Sequence, residues 1–317
     1  MTSQAAPRVL FFSPLIAEVL MPLEELADAA VFDAERDSEE RLRALSEGVD
    51  AIVCIGQHRV DAARLDMFPA LRLVAALGVG HEGIDLEAAR ARGVAVTNSP
   101  GNNSPDVAEL AVSLWLASRR GLVGGDRIVR SGGWTGLGRP LRRAAYADRV
   151  AIAGMGAIGQ EIASRVAGLG GREIAWWGRR LRPEIDWRFC PDLRDLAAWA
   201  DTLFVALPGG DETRHLVDAA VLKALGPRGL VVNVGRGSVI DEAALVAALG
   251  DGSLGGAALD VYEVEPFDGA SMAGLDNVLL SPHIGGATQE AVARLRATTF
   301  ASVRALRSGR PIPNRLA

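Results

Sequence analysis

Several segments of this 317-residue chain end an apolar run with a side chain able to do chemistry. "LVVNVGRGSVIDEAAL" carries Arg236 in a glycine-flanked loop. "LDVYEVEP" carries Asp260 and, shortly after it, Glu265. "NVLLSPHIGGAT" carries His283. Taken singly, each has a plain explanation. An arginine in a glycine-rich loop reads as a solvated turn, a glutamate before proline as a loop cap, and a histidine after proline as a hydrogen-bonded core residue. Their shared position at the ends of strand-like runs changes that reading, because ligands of open parallel sheets collect outside the carboxyl ends of the strands. A guanidinium, a carboxylate and an imidazole in one crevice suit reduction of a 2-oxo acid. The arginine grips the carboxylate, the histidine gives a proton to the carbonyl oxygen, and the acidic side chain supports the imidazolium.

Such chemistry needs a hydride source, and the sequence offers a place for one. "RVAIAGMGAIGQEIASRVAGLG" holds Gly154, Gly156 and Gly159 in GxGxxG spacing. The spacing alone is weak in a chain with 36 glycines. Its context is stronger: an apolar strand runs into it and a helix starts within it. Gly154 permits the tight turn, Gly156 lets backbone approach a pyrophosphate, and Gly159 lets helix pack on strand. The free N–H groups of the helix N-terminus then face the phosphates. The plain alternative is a strand–turn–helix with incidental glycines. The second strand, "EIAWWG", ends without the Asp or Glu that bonds the ribose 2′-OH in NAD enzymes. Gly178, Arg179 and Arg180 stand there instead. Paired arginines hold a 2′-phosphate and glycine leaves room for it, so the expected cofactor is NADP(H), with NAD(H) usable. A solvated basic turn is the alternative.

The elements that must position these residues alternate from end to end. "RVLFFS", "ADAAVF", "DAIVCIG", "LRLVAALG" and "VAVTN" read as strands, with helical "SEERLRALSEG" and "LEAARARG" among them. Near-continuous apolar strands between helices predict a parallel sheet covered on both faces. Pro14 is expected to turn the first strand into a loop. That first unit ends near Asn98. "TNSPGNNSPDVAEL" reads as a junction, with Ser104 as N-cap and Pro105 at the first helical position of a long apolar helix reaching Ala117. A second strand series follows: "RVAIAG", "EIAWWG", "TLFVALP", "LVVNVG", "GGAALDV" and "NVLLSPH", ending near Gly286. "TQEAVARLRATTFASVRALRSG" closes the chain as a helix. The class is α/β, with two doubly wound parallel-sheet domains.

Composition narrows the partners. The net charge of −5 argues against nucleic acid. No apolar run reaches the about 20 residues that cross a bilayer, so no membrane partner is expected. Cys54 and Cys190 lack metal-ligand spacing. They read as free core thiols in a reducing compartment, which predicts a cytoplasmic protein with no metal.

Six stretches together resemble one family over nearly the whole chain: "LGVGHEGID" (77–85), "VAVTNSPGNNSPDVAELAV" (94–112), "GMGAIGQEIA" (154–163), "LVVNVGRGSVIDEAAL" (230–245), "GGAALDVYEVEP" (255–266) and "LLSPHIGGAT" (279–288). The chain resembles the D-isomer-specific 2-hydroxyacid dehydrogenases. "WWGRRLRP" and "GPRGLVVNVGRG" are most similar to the glyoxylate/hydroxypyruvate reductase branch. The resemblance implies a Rossmann cofactor domain, 99–286, inserted in a flavodoxin-like substrate domain, 1–98 and 287–317. It implies Arg236 as the substrate-carboxylate arginine, Glu265 as the partner of the histidine, and His283 as the acid/base. Backbone N–H groups of Val79 and Gly80 become the second grip on the substrate carboxylate. Asp260 accepts from the nicotinamide carboxamide, and Ser104, Ala157, Ile158, Pro208 and Val234 join the cofactor contacts. Glyoxylate and hydroxypyruvate are the implied substrates and a homodimer the implied assembly.

Departures from the family pattern bear on the substrate. His81-Glu82-Gly83 fills a variable segment, and Asn102-Asn103 replaces residues that are often apolar. The wall around the substrate side chain is expected at "CIGQ" (54–57), where Gly56 leaves room, with His81 and Trp134 nearby. "AAYADRV" replaces a more usual "L-x-GK-x-V" and is expected to alter only a loop. Formate dehydrogenases carry glutamine in place of Glu265, and phosphoglycerate dehydrogenases an acid where Gly178-Arg179 stands. Two alternatives stay open: a reductase of larger 2-oxo acids such as hydroxyphenylpyruvate, and a nucleotide-sensing protein like the corepressors of this fold.

Overall fold

The computed structural model describes residues 7–20, 28–136, 141–171 and 173–317. Its contacts divide the chain into two units, Met1–Asn103 with Thr288–Ala317, and Ser104–Ala287. Among the described residues no helix is long and apolar enough to cross a membrane.

The first unit holds β1 (Val9–Phe11), β2 (Ala29–Val31), β3 (Ala51–Ile55), β4 (Leu73–Leu77) and β5 (Ala95–Thr97). They form one parallel sheet in the order β2-β1-β3-β4-β5, the flavodoxin-like winding. Successive side chains on a strand point to opposite faces. Leu10, Ile52, Val74 and Val96 accordingly pack with Phe12, Phe32 and Leu42. Val9, Phe11, Val53 and Leu73 take the other face, where Val303 and Leu306 of the closing helix, Gln289–Ser308, cover them. Burial of each such side chain contributes roughly 2 kcal/mol. Pro14 does not lead into a loop. It opens a helix, Pro14–Leu20, as its first residue. Proline is favoured there because that N–H has no intrahelical partner to lose.

The second unit holds β6 (Arg149–Ala153), β7 (Glu173–Trp177), β8 (Arg188–Phe189), β9 (Thr202–Val205), β10 (Leu230–Asn233), β11 (Gly256–Leu259) and β12 (Val278–Leu280). All pairings are parallel, in the order β12-β11-β10-β9-β6-β7-β8. Winding runs outward in both directions from β6 and β9, the topological switch of a dinucleotide-binding sheet. Val150, Ile152, Phe204 and Val232 face the helices Ser104–Arg120 and Ala157–Gly168. Ala151, Ala153, Leu203 and Val231 face Leu193–Trp199, Ala219–Leu225 and Glu242–Gly250. Those last three helices are capped by Asp192, Asp218 and Asp241, whose side chains accept first-turn N–H groups, each worth about 1 kcal/mol.

The junction helix differs slightly from expectation. Ser104 is its first residue and it runs to Arg120. Gly121, at φ 60°, then opens a second, wholly exposed helix, Leu122–Arg130. The "AAYADRV" segment does more than alter a loop. Asp148 is buried, and its carboxylate accepts from Trp115 Nε1 at 3.1 Å, Arg119 Nε at 2.6 Å, Arg143 Nε at 2.7 Å and Thr202 Oγ1 at 2.7 Å. A carboxylate can sit in the interior only when donors replace its water in this way.

Candidate active site

The glycine loop follows β6. Gly154 has φ +98°, and a Cβ there would lie 2.7 Å from Ala206 O. A Cβ on Gly159 would lie 2.1 Å from Gly154 O. Both glycines are therefore demanded by the protein's own packing. Gly156 is not: a Cβ there meets nothing within 4 Å. It caps the helix Ala157–Gly168 with no side-chain bond to the first-turn N–H groups. An open glycine before uncapped donors, including those of Ala157 and Ile158, fits a cofactor pyrophosphate.

Around this loop the strand ends bring the other expected cofactor residues. Pro208 follows β9, and its C=O accepts from Thr213 Oγ1 at 2.8 Å. Val234 follows β10 and is buried. Gly235, next to it, lies so close to β9's end that a Cβ would be 2.5 Å from Leu207 O. Ser104 is buried at the start of its helix. Beyond β7, Gly178 has little spare room, since a Cβ would be 3.1 Å from the Trp176 ring. Arg179 and Arg180 are exposed. Arg179 is not alone: Glu212, from the turn after β9, pairs with it. Arg182 donates to Met155 O at 2.8 Å and ties this turn to the glycine loop.

The catalytic candidates stand at the ends of β10, β11 and β12. His283 Nδ1 lies 2.6 Å from Glu265 Oε2. A carboxylate can only accept, so Nδ1 carries the proton. The other Glu265 oxygen accepts from Tyr262 N at 3.0 Å, which fixes the carboxylate. The hydrogen bond to Glu265 raises the His283 pKa above its ordinary value, against burial, with the charges of Glu265 and Asp260 adding and that of Arg236 opposing. Burial works to raise Glu265, but the His283 bond, the Tyr262 N–H and the His283 and Arg236 charges outweigh it and hold its carboxyl below the usual range. The field of Arg236 thus reaches both partners. Arg236 is half-buried and its Nη1 donates to Gly235 O at 2.9 Å.

Asp260 holds the histidine's loop. Its Oδ1 accepts from Ser281 Oγ at 2.6 Å and Ile284 N at 2.9 Å, and its Oδ2 from Gly285 N at 2.8 Å. Between those anchors His283 has φ 54°, a left-handed conformation that L-residues rarely adopt. This anchoring role of Asp260 adds to the cofactor contact that the family resemblance implies for it. The Asp-to-loop bonds form only when β11 and β12 pair.

The remaining expected residues belong to the first unit. Val79 is exposed, and its C=O accepts from Asn98 Nδ2 at 2.8 Å. Gly56 leaves no room for a substrate, because a Cβ there would lie 2.0 Å from Gly80 O. It is glycine so that the Gly80–His81 backbone can lie on the end of β3. His81 Nδ1 is buried without a partner. Asn102 donates to Thr298 Oγ1 at 2.6 Å and its C=O accepts from Arg294 Nε at 2.6 Å, so it anchors the closing helix. In the second unit, Trp134 is exposed.

Residues 112–285 match the family described as D-isomer specific 2-hydroxyacid dehydrogenase, NAD binding domain. The 2-ketogluconate reductase of Gluconobacter oxydans is 36% identical over 284 residues, covering 90% of each protein. Glyoxylate/hydroxypyruvate reductase A of Arabidopsis thaliana is 37% identical over 282 residues, covering 89% of this chain and 90% of that protein. Among solved structures, the NADPH-dependent glyoxylate/hydroxypyruvate reductase of Sinorhizobium meliloti, in complex with NADP and malonate, matches with a TM-score of 0.88. It is 34% identical and the match covers 99% of this chain and 97% of that one.

Proposed function

Because the chain belongs to the D-isomer specific 2-hydroxyacid dehydrogenase family, we propose that it reduces small 2-oxo acids, glyoxylate and hydroxypyruvate, to 2-hydroxy acids with NADPH. The observation that carries this reading is the His283 ring, held by Glu265 through Nδ1 and lying in the field of Arg236. That arrangement leaves Nε2 to serve the substrate.

A bound nicotinamide cofactor supplies the hydride. Arg236 holds the substrate carboxylate. His283 Nε2–H donates to the adjacent carbonyl oxygen and passes its proton as the carbonyl carbon is reduced, leaving C–OH. Glu265 stabilises the imidazolium beforehand, so the acid stays charged to higher pH than a free imidazole would. Asp260 keeps acceptor capacity on Oδ2 beyond Gly285 N, which suits a carboxamide N–H.

Arg179 and Arg180 take the 2′-phosphate, with NADH as a poorer cofactor. The relative solved with NADP supports that choice. Leu122, Ile128, Val129 and Trp134 are exposed apolar side chains, which a second copy covers in a homodimer. The buried free thiols of Cys54 and Cys190 suit a cytoplasmic setting. The test is kcat/KM for glyoxylate, hydroxypyruvate, pyruvate and phenylpyruvate with NADPH and with NADH. The reading expects the two small acids and NADPH to lead. A lead for phenylpyruvate overturns the small-substrate assignment.

A further inference from the structure

We propose that His215 and Glu263 form a second histidine–carboxylate pair whose role is to position Arg236. The proposal rests on the assignment of Arg236 to the substrate carboxylate. His215 Nε2 lies 2.9 Å from Glu263 Oε1, and that oxygen also accepts from Arg214 Nη2 at 2.6 Å. The acceptor is a carboxylate, so the imidazole donates. His215 lies in the turn after β9, and Glu263 lies between the ends of β11 and β12, close in sequence to Glu265.

What the pair encloses gives it meaning. The His215 backbone N–H donates to Ser238 O at 2.8 Å, and Val217 N to Val239 O at 3.0 Å. These bonds fasten the turn to the segment that follows Arg236. On its other side, that segment lies against the Glu263 backbone. A Cβ on Gly237 would lie 1.8 Å from Tyr262 C and 2.4 Å from Glu263 N. Glu263 N donates in turn to Glu242 Oε2 at 3.0 Å. The Arg236 loop is thus gripped between the His215 turn and the Tyr262–Glu263 peptide, and the side-chain bond closes the ring. Tyr262 N also fixes Glu265. One short stretch of backbone therefore carries the partner of His283 and the platform under Arg236.

His215 itself has φ 51°. A non-glycine residue stays in that region only where its surroundings over-determine it, and here backbone N–H and ring are both engaged. His215 and Glu263 bond to each other, to Arg214, to Ser238 and to Glu242. The pair acts on the place of the guanidinium, not on the proton.

That separation sets the test. His215→Ala is expected to raise KM for glyoxylate about tenfold with kcat within about threefold, the signature of lost uniform binding. NADPH affinity should not change. His215→Gln, which keeps an N–H donor, should restore most of the KM. Hydrogen exchange gives a second readout that needs no activity. The amides of Val239 and Ile240, which bond Arg236 O and Gly237 O, should exchange about tenfold faster in His215→Ala while strand β6 is unaffected. Should the alanine variant fail to fold, Glu263→Gln and His215→Gln carry the same comparison. Unchanged exchange at 239–240 overturns the proposal whatever the kinetics. Equal losses in kcat and NADPH binding overturn it too, since they mark general packing. If the wild type turns over no 2-oxo acid, the functional reading fails, and the exchange result still decides whether the pair holds the loop.

Discussion

Glu265 meets His283 at Nδ1, 2.6 Å away, which leaves Nε2 as the edge of the ring that can face a substrate. The contact raises the histidine's pKa and lowers the glutamate's. In the proposed reaction the protonated ring is the acid, so activity should persist below the raised His283 pKa and fall as pH climbs through it. Glu265→Gln removes the main cause of the increase, and the alkaline limb of kcat/KM for reduction should move to lower pH. The pair's contribution to stability follows the same ionisations. It is full where Glu265 is ionised and His283 protonated. It fades as pH falls through the lowered Glu265 pKa, and again as pH rises through the raised His283 pKa. A pH–rate profile of the variant checks this, and an unmoved limb means the pair only packs.

The loop glycines Gly156 and Gly159 should separate in their effects. Gly159→Ala places a methyl 2.1 Å from Gly154 O and must shift backbone, so Tm should fall. Gly156→Ala meets no protein atom within 4 Å. Its Tm should stay within a few degrees of wild type while NADPH binding weakens by tenfold or more, about 1.4 kcal/mol. Thermal melts with and without NADPH measure both. Equal destabilisation by both variants would remove the reason to place a pyrophosphate at Gly156.

Cofactor choice should follow Arg179 and Arg180. NADPH is expected to exceed NADH in kcat/KM by about tenfold or more. Replacing both arginines by alanine should abolish that preference through NADPH alone. Glu212 adds a finer expectation. It pairs with Arg179 in the open, where such contacts are worth less than about 1 kcal/mol. A phosphate can displace it, and Glu212→Gln should improve KM for NADPH a few-fold at low salt. Equal use of both cofactors by the wild type would sink the assignment.

Much of this was readable from residue types, and the exceptions share a cause. The apolar runs are short and near-continuous and end at glycine or polar turns, so β6, β7 and β9 to β12 could be placed and their terminal residues grouped. Glycine spacing located the dinucleotide loop for the same reason, since the turn geometry is local. Glu212 could not be foreseen beside Arg179, because the approach depends on β9 lying next to β6. Gly56 suggested open space, yet the Gly80–His81 backbone fills it. Strand β8 has two residues, Arg188–Phe189, too few for any period. Asp148 looked like part of a variable loop until Trp115, Arg119 and Thr202 converged on it.

That convergence has a cost when broken. Asp148→Ala leaves the Arg119 guanidinium, 10% exposed, without its carboxylate. Removing one partner of a buried ion pair destabilises by roughly 3–5 kcal/mol. Tm should drop by roughly 6–20 °C for a unit of this size. Differential scanning calorimetry checks it, and a shift under a few degrees would show that Arg119 finds other acceptors.

The proton-donor assignment meets its most direct test in NADPH oxidation with glyoxylate, followed for wild type and His283→Ala under the same conditions. The wild type should form one glycolate per NADPH consumed. His283→Ala should lose on the order of 10²-fold or more in kcat while binding NADPH as before. Glyoxylate-dependent oxidation that is absent in the wild type, or undiminished in the variant, would contradict the account.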